Sequence, residues 1–421
     1  MGWNSWDCYG ASVTEAEVRG NAGYMAEHLL AYGWEYVVVD IQWYEPGANS
    51  SLYRPFVPLE MDGYSRLIPA TNRFPSAANG VGFRALAHAV HAQGLKFGIH
   101  IMRGIPRQAV HADTPLLGTS VTARDIAHPN SICPWNTDMY GVDASKEGAQ
   151  AYYDSLFALY AQWGVDLVKV DDISASRLYH FHAAEILLIR RALDGCGRPM
   201  VLSLSPGPAP LEHGEFLQAN ANMWRLTDDF WDQWPGLAEM FGRCHEWTPF
   251  RSPGHWPDPD MLPLGHLGLR SVDGGAGDRM TRFTHDEQRT LMTLWCMSRA
   301  PLMFGGELRD NDPWTLSLLT NRRLLEIQRS SSGNRQLWRR GGSGHSGEGV
   351  AWTAQGEQGQ TYLALFNLGE TEDTFHVPYR ELGLTAPVRA EELWSGDVVP
   401  PGPDTLSTTV TPHGVRLFEL M

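Results

Sequence analysis

A chain of 421 residues, 43% hydrophobic and 19% charged, with 16 Trp, 14 Tyr and 15 Phe, has the apolar material for a large packed core and lacks the composition of a disordered segment. A formal net charge of −15, without a block of five or more basic residues, argues against nucleic acid and anionic membrane surfaces as partners. Five widely spaced cysteines (Cys8, Cys133, Cys196, Cys244, Cys296) without a CxxC pair favour reduced thiols over a zinc cage or a disulfide framework.

The opening "MGWNSWDCYG" is not a signal peptide, and no later run approaches the roughly 18 apolar residues of a membrane span, so a cytoplasmic location is expected. Within it "GWNSW" reads as a first short strand. The Thr14 to Glu17 spacing fits a capping box, after which Val18, Ala22, Met25 and Leu29 repeat on one helical face. The β-branched run "YVVVDIQW" then reads as a strand buried on both sides. The alternation recurs through "FRALAHAVHAQG" and "LKFGIHIM", "GAQAYYDSLFALYAQWG" and "VDLVKVDD", and "AAEILLIRRALDGCG" and "PMVLSLS". It continues through "MWRLTDDF", "GLAEMFGRCHEW", "PDMLPLG", "EQRTLMTLWCMSRA" and "PLMFGGEL", and closes with a helix near Trp314 to Gln328. About eight βα units result, which predicts a (β/α)8 TIM barrel rather than an open sheet. After Arg329 a Ser/Gly-rich linker or hairpin stretch leads into short alternating runs such as "TYLALFNLG" and "GVRLFEL". The expected architecture is an α/β chain with a catalytic barrel over residues 1–330 and a C-terminal antiparallel β-sandwich over residues 331–421, whose scattered acids suit a structural role.

Barrels of this kind carry their chemistry at the C-terminal ends of the strands. There the sequence collects Asp40, Gln42 and Trp43 after the second strand, His100 and Arg103 at the third, and Lys169, Asp171 and Asp172 at the fourth. Ser203 and Ser205 follow at the fifth, Arg225, Asp228 and Asp229 at the sixth, and His255, Trp256, Asp258 and Asp260 around the seventh. A single Asp after a strand is usually a helix cap or a solvated loop residue; polar groups at so many strand ends mark a site. In "LVKVDDIS" a lysine inside a buried parallel strand is costly unless it is paired or faces a polar cavity. Period two puts Lys169 and Asp171 on one side and Val170 and Asp172 on the other, which leaves Asp172 to cap the loop or the next helix. In "MWRLTDDFW", Arg225, Thr227 and Asp229 share a parity in the same way, with a purely structural ion pair as the alternative.

Two carboxylates from different strands facing one cavity are the minimal equipment for glycoside hydrolysis, one ionised and one protonated. Lys169 would keep Asp171 ionised, while the field of Asp171 and partial desolvation would let Asp229 hold its proton. The tryptophan content fits a sugar ligand, since indole faces stack on sugar rings, although core packing also uses Trp. No GxSxG elbow, HExxH or phosphate loop is present, and "HFH" at His180 to His182 and "GHWPDPD" lack support for a metal site.

In chain order, "MGWNSWDCYG", "VVVDIQW", "GLKFGIHI", "VDLVKVDD", "WRLTDDFWDQW", "PGHWPDPDML" and "SRAPLMFGGELR" resemble glycoside hydrolase family 27, the α-galactosidase and α-N-acetylgalactosaminidase family of clan D. The C-terminal sandwich is similar in kind. The resemblance implies a retaining, exo-acting glycoside hydrolase that cleaves α-galactoside-type bonds by double displacement, without metal or cofactor. By motif position it makes Asp171 the nucleophile that forms a covalent glycosyl-aspartate, and Asp229 the acid/base. Lys169 and Arg225 would contact sugar hydroxyls and Trp6 would line the pocket floor. Asp40, Gln42, Trp43, His100, Ser205, Trp256 and Asp260 complete the implied substrate-binding set. The expected partner is an oligosaccharide or glycoside, and a homo-oligomer is compatible with the sequence.

The departures from the family pattern concern the sugar. Typical α-galactosidases carry "DDGW" or "DDCW" after the second strand, with two acids that grip O4 and O6; here Asp40 is followed by Ile41, Gln42 and Trp43. His100 replaces the aromatic residue that ends the third strand, and Ser203 to Pro206 replace the "CEW" that reads O2. Ile173 and Ser174 stand where relatives keep a cysteine, so the local disulfide is absent. Gln42, Glu45, His100 and Arg103 are expected to build a different polar rim. Against the α-galactoside stand a β-L-arabinopyranoside, which is galactose-like without the C6 hydroxymethyl, an α-N-acetylgalactosaminide and an isomaltose-type α-glucoside. A non-catalytic carbohydrate-binding barrel is the alternative from another class.

Overall fold

The β-branched and apolar runs form β1 (Gly2–Asn4), β2 (Tyr36–Val39), β3 (Lys96–Met102) and β4 (Leu167–Asp171), followed by β5 (Val201–Leu204), β6 (Met223–Arg225), β7 (Trp256–Asp258) and β8 (Met303–Phe304). These belong to a computed structural model that describes residues 1–49, 53–176, 178, 180–272, 277–341, 348–385, 388–400 and 402–421. The eight strands make one parallel sheet in the order β7-β6-β5-β4-β3-β2-β1-β8. Its two edges meet through a parallel bridge between Leu262, just past β7, and Phe304, with the Leu262 N–H donating to the Met303 carbonyl at 2.7 Å. The sheet is the (β/α)8 barrel that the alternating pattern predicts, and β2 through β8 are its strands in the order in which the chain supplies them.

Between the first strands run α1 (Glu15–His28), α2 (Arg84–His91), α3 (Ala149–Trp163), α4 (Ala183–Gly195) and α5 (Gly214–Asn220). The capping box forms: the Glu17 carboxylate accepts from both the Thr14 N–H and its hydroxyl at 2.8 Å, and Val18, Ala22, Met25 and Leu29 are all fully buried. α3 stops at Gly164, whose φ of +83° lets its N–H turn back onto the carbonyl of Ala161. Later come α6 (Trp234–Glu246), α7 (His285–Met297), α8 (Pro313–Leu319) and α9 (Arg322–Ser330).

The chain divides into two compact units. One, made of Met1–Phe230, Phe250–Thr281 and Leu302–Asn311, holds all eight barrel strands. Inside this barrel Val38, Leu167, Met223, Met261 and Met303 form a buried layer, each side chain adding roughly 1.5–3 kcal/mol by leaving water. The other unit, made of Trp231–Pro249, Arg282–Pro301 and Asp312–Met421, holds α6 to α9 and the C-terminal strands.

Those strands are β9 (Ser332–Arg340), β10 (Gly349–Gln355), β11 (Thr361–Asn367), β12 (Asp373–Pro378), β13 (Ala390–Glu392), β14 (Val398–Val399), β15 (Thr405–Val410) and β16 (Val415–Leu420). A six-stranded antiparallel sheet in the order β9-β10-β11-β16-β13-β14 and the pair β12-β15 share a core that includes Leu363, Leu365, Phe375, Val377, Leu406 and Phe418. Alternate side chains of both layers supply this core, which makes it a sandwich. The Ser/Gly-rich stretch after Arg329 contains β9, paired antiparallel with β10, so its described part is the first arm of a hairpin. All five cysteines are free, and no described helix is long and apolar enough to cross a membrane.

Candidate active site

The strand register brings the polar residues to one level at the C-terminal end of the barrel. Parallel pairing sets His100 beside Lys169, Met102 beside Asp171, and Arg225 beside Asp258. A cavity of about 260 Å³ opens there, lined by Trp6, Asp40, Ile41, Tyr53, Trp135, Lys169, Asp171, Pro206, Asp228 and Asp229. A second space of about 20 Å³, room for roughly one water, lies deeper among Asn4, Lys169, Ser203, Arg225, Asp258 and Asp260. Lys169 lines both, so it is part of the partition between them.

Asp40 accepts from the Asn4 amide at 2.7 Å and from Nζ of Lys169 at 2.9 Å, both on Oδ2. Burial opposes its charge, yet the Lys169 ammonium beside it holds the carboxyl well below the usual range. Asp171 accepts on Oδ1 from the Asp172 N–H at 2.7 Å and on Oδ2 from Nε2 of His100 at 3.0 Å. Burial alone would raise its pKa; the His100 hydrogen bond and the charge of Lys169 outweigh it and lower it instead.

Across the cavity, one guanidinium holds two carboxylates. Arg225 Nη2 lies 3.0 Å from Asp229 Oδ1 and 2.7 Å from Asp260 Oδ2, and Asp260 also accepts from the Phe230 N–H at 2.7 Å. Asp229 is pushed up to about 6, by burial first and then by the negative charges of Asp260 and Asp171, against the pull of Arg225. Its side chain nevertheless keeps 47% of its surface open, so a sugar docked above it would complete the desolvation. Behind this pair, burial and the charge of Asp260 push Asp258 up to about 7. The cavity therefore sets Asp171, biased to be ionised like Asp40 beside it, opposite Asp229, which is biased to keep a proton and follows a different strand.

Of the residues singled out from sequence, Trp6, Asp40, Lys169, Asp171, Asp228 and Asp229 line the larger cavity, and Ser203, Arg225, Asp258 and Asp260 line the smaller one, with Lys169 also reaching it. The others go elsewhere. Trp43 is buried against Phe83 and Trp163, with ring centroids 5.2 and 6.0 Å away, and donates its indole N–H to the His100 carbonyl at 2.7 Å. Gln42 is buried and donates to Asp138 at 2.7 Å. Ser205 is buried, with its hydroxyl 3.4 Å from the Val170 carbonyl, and leaves the cavity wall to Pro206. Trp256 begins β7, two residues before Asp258, and lines neither cavity. His100 is fully buried behind Asp171.

The expected polar rim of Gln42, Glu45, His100 and Arg103 does not form. Glu45 pairs with Arg54, and Arg103 sits in a buried cluster with Asp172 at 2.9 Å and Glu185 at 3.5 Å. Asp172 does not cap the next helix, since α4 has His182 as its N-cap, but it does tie the loop, through a side-chain hydrogen bond with Ser176; its backbone turns to a φ of +56°, ending the strand's alternation immediately after Asp171. β6 likewise ends at Arg225, so Asp229 returns to that arginine through a turn rather than by strand parity.

Sequence reasoning missed Tyr53 and Trp135, which sit on loops far from the ends of the barrel strands. Tyr53 stacks with Trp6 at 6.3 Å and 12° and tilts against Trp135 at 5.4 Å, giving the cavity an aromatic side. Only the high tryptophan count hinted at it.

Comparison with known proteins finds matches along the whole chain. Residues 137–330 match the family model described as alpha galactosidase A, and residues 346–420 match that of the alpha galactosidase C-terminal beta sandwich domain. The chain is 64% identical to Abp, a GH27 β-L-arabinopyranosidase from Geobacillus stearothermophilus, with a TM-score of 0.97 covering 100% of this chain and 95% of that one. A structure of an Asp→Ala variant of the same enzyme in complex with arabinose gives 63% identity, a TM-score of 0.97, and coverage of 100% and 96%. Alpha-galactosidase 2 of Arabidopsis thaliana is 24% identical over 430 residues, 100% of this chain and 88% of that protein.

Proposed function

Given that the chain belongs to glycoside hydrolase family 27, whose members are α-galactosidases and related glycosidases, we propose that it is a retaining exo-glycosidase of α-galactoside-type bonds with β-L-arabinopyranosides as its preferred substrates. Asp171 is the nucleophile and Asp229 the acid/base. In the first step an oxygen of Asp171 bonds to the anomeric carbon, the glycosidic C–O bond breaks, and the Asp229 proton passes to the departing oxygen. Water then attacks the same carbon, gives a proton to Asp229, and the sugar–aspartate bond breaks, restoring both carboxyls. The opposite directions in which the protein shifts these two acids support this division of labour.

The observation that carries the choice of sugar is Ile41, which lines the cavity directly after Asp40. A hexose hydroxymethyl directed at an apolar wall gives up hydrogen bonds to water and finds no partner there, whereas a pentopyranose presents only a ring methylene. An apolar wall rejects an added hydroxyl weakly, by about a hundredfold at most, so α-galactosides should remain slow substrates. The likeness to a β-L-arabinopyranosidase favours the same order. Initial rates on matched p-nitrophenyl β-L-arabinopyranoside and α-D-galactopyranoside test it: a higher kcat/KM on the galactoside would sink the preference, and no turnover of either would sink the activity.

A further inference from the structure

The strongest unassigned contact to the reacting groups comes from behind the cavity wall. His100 has no exposed surface and does not line the cavity, yet its Nε2 lies 3.0 Å from Oδ2 of Asp171. Its backbone is fixed on two sides, by parallel pairing with Lys169 and by the Trp43 indole N–H on its carbonyl at 2.7 Å. Its Nδ1 is buried and has no hydrogen-bond partner among the described residues, which leaves Nε2 as the nitrogen that carries the proton toward the carboxylate. The other oxygen of Asp171 is held by the Asp172 N–H at 2.7 Å, aimed there by the left-handed turn at Asp172.

We propose that His100 is a positioning residue for the nucleophile: it acts through Asp171 without touching the sugar, fixing the rotation of the carboxylate and keeping it ionised. The proposal rests on the reading of Asp171 as the nucleophile. With one donor on each oxygen, neither torsion of the side chain is free, and the attacking lone pair is presented in one direction. The His100 proton stays on Nε2 through both displacements. Its hydrogen bond passes from carboxylate to ester oxygen and back while Asp229 alone exchanges protons. Among the described residues, the other charged or titratable groups that act on Asp171 are Lys169 on β4, with Asp40 just past β2 behind it, Asp172, Cys133, and Asp229 from the loop after β6.

The test compares the full-length wild type with His100→Phe and His100→Gln on whichever of the two nitrophenyl glycosides is cleaved. His100→Phe should lower kcat/KM about ten- to a hundredfold, the loss expected for one hydrogen bond to a charged group. It should move the acid limb of the pH profile upward by about one unit, since Asp171 loses a donor to its charged form. The affinity for the free monosaccharide should stay within about twofold, and Gln, which can still present an N–H, should recover much of the rate and draw the limb back. An acid limb that stays put in His100→Phe, a loss of sugar affinity in step with the rate, or a Gln variant no better than Phe overturns the proposal. Should the Phe variant not fold, Gln against the shorter Asn gives the same comparison, with Gln expected to be the faster. The nucleophile itself is checked separately, by trapping the wild type with a 2-deoxy-2-fluoro glycosyl fluoride and mapping the label. A label on a residue other than Asp171 refutes the underlying reading whatever the His100 variants do.

Discussion

The ammonium of Lys169 reaches across β3 to Asp40, with Nζ 2.9 Å from Oδ2, and acts on Asp171 through its field rather than through a hydrogen bond. Both partners are largely sequestered from water, with 14% and 2% of their side chains exposed. Lys169→Met leaves the Asp40 carboxylate without its counter-charge and should destabilise the protein by roughly 3–5 kcal/mol, with part recovered in Lys169→Met/Asp40→Asn. Denaturant unfolding measures both. Because the folded-state pKa of Asp40 is depressed, its contribution to stability is complete above the ordinary carboxylate range near about pH 4 and is lost as pH falls through the lower folded value. Both variants should therefore show a flatter acid limb of stability than the wild type.

Asp229 must carry a proton to act as the acid, and its pKa is raised to about 6, so kcat/KM should fall as pH rises through that value. On the acid side activity should persist to below the ordinary carboxylate range, since Asp171 is shifted down. Asp229→Ala should lose about 10²–10⁴-fold on alkyl glycosides and much less on dinitrophenyl glycosides, whose leaving groups need no proton. An equal loss across leaving groups in a Brønsted series would remove the acid role.

Restoring a carboxylate beside Asp40 should restore a partner for a hexose hydroxymethyl. Ile41→Asp is expected to raise the ratio of α-galactoside to β-L-arabinopyranoside kcat/KM by about ten- to a hundredfold, mostly through the galactoside. Measuring both substrates on both proteins gives this ratio directly, and an unchanged ratio would assign the preference to another wall of the cavity.

Arg103 is the shared cation of Asp172 and Glu185, and each of the three has at most 5% of its side chain exposed. Tyr153 donates its hydroxyl to Glu185 at 2.5 Å in the same cluster. Arg103→Met leaves two buried carboxyls that neutralise at the expense of their hydrogen bonds, and should cost about 3–5 kcal/mol in chemical unfolding. Asp172 is already pushed up to about 6 by burial, so the loss should be largest at pH values above that, where the carboxyl is charged in the wild type.

The barrel was legible because its signal is repeated: a strand-length β-branched run followed by a helical face, renewed about eight times, leaves few other folds. The candidate acids were legible wherever a lysine or arginine inside a strand demanded an explanation, as at Lys169 and Arg225. Parity with Lys169 selected Asp171, which is the last residue of β4 and lines the larger cavity with that lysine. Asp172, which parity put on the other side, does lie outside the cavity against Arg103, and the alternation ends there with a φ of +56°. Gln42 and Trp43 were misplaced after β2, where residues near a strand end point to Asp138 and to the layer of Phe83 and Trp163. Tyr53 and Trp135 were out of reach, because irregular connections between elements carry no periodicity from which the packing of Tyr53 on Trp6 and Trp135 could be read.

The partition at Lys169 has a consequence for the order of events. Among the described residues the barrel below Lys169 is packed with apolar side chains around a space of about 20 Å³, too small to pass a sugar, so a sugar that enters the larger cavity leaves by its mouth. The leaving group must depart before water can reach the bound sugar, and the freed monosaccharide then occupies the single doorway until it diffuses out. Inhibition by that monosaccharide should accordingly be competitive with the glycoside, and the rate on a branched polymer should follow the number of chain ends rather than its mass.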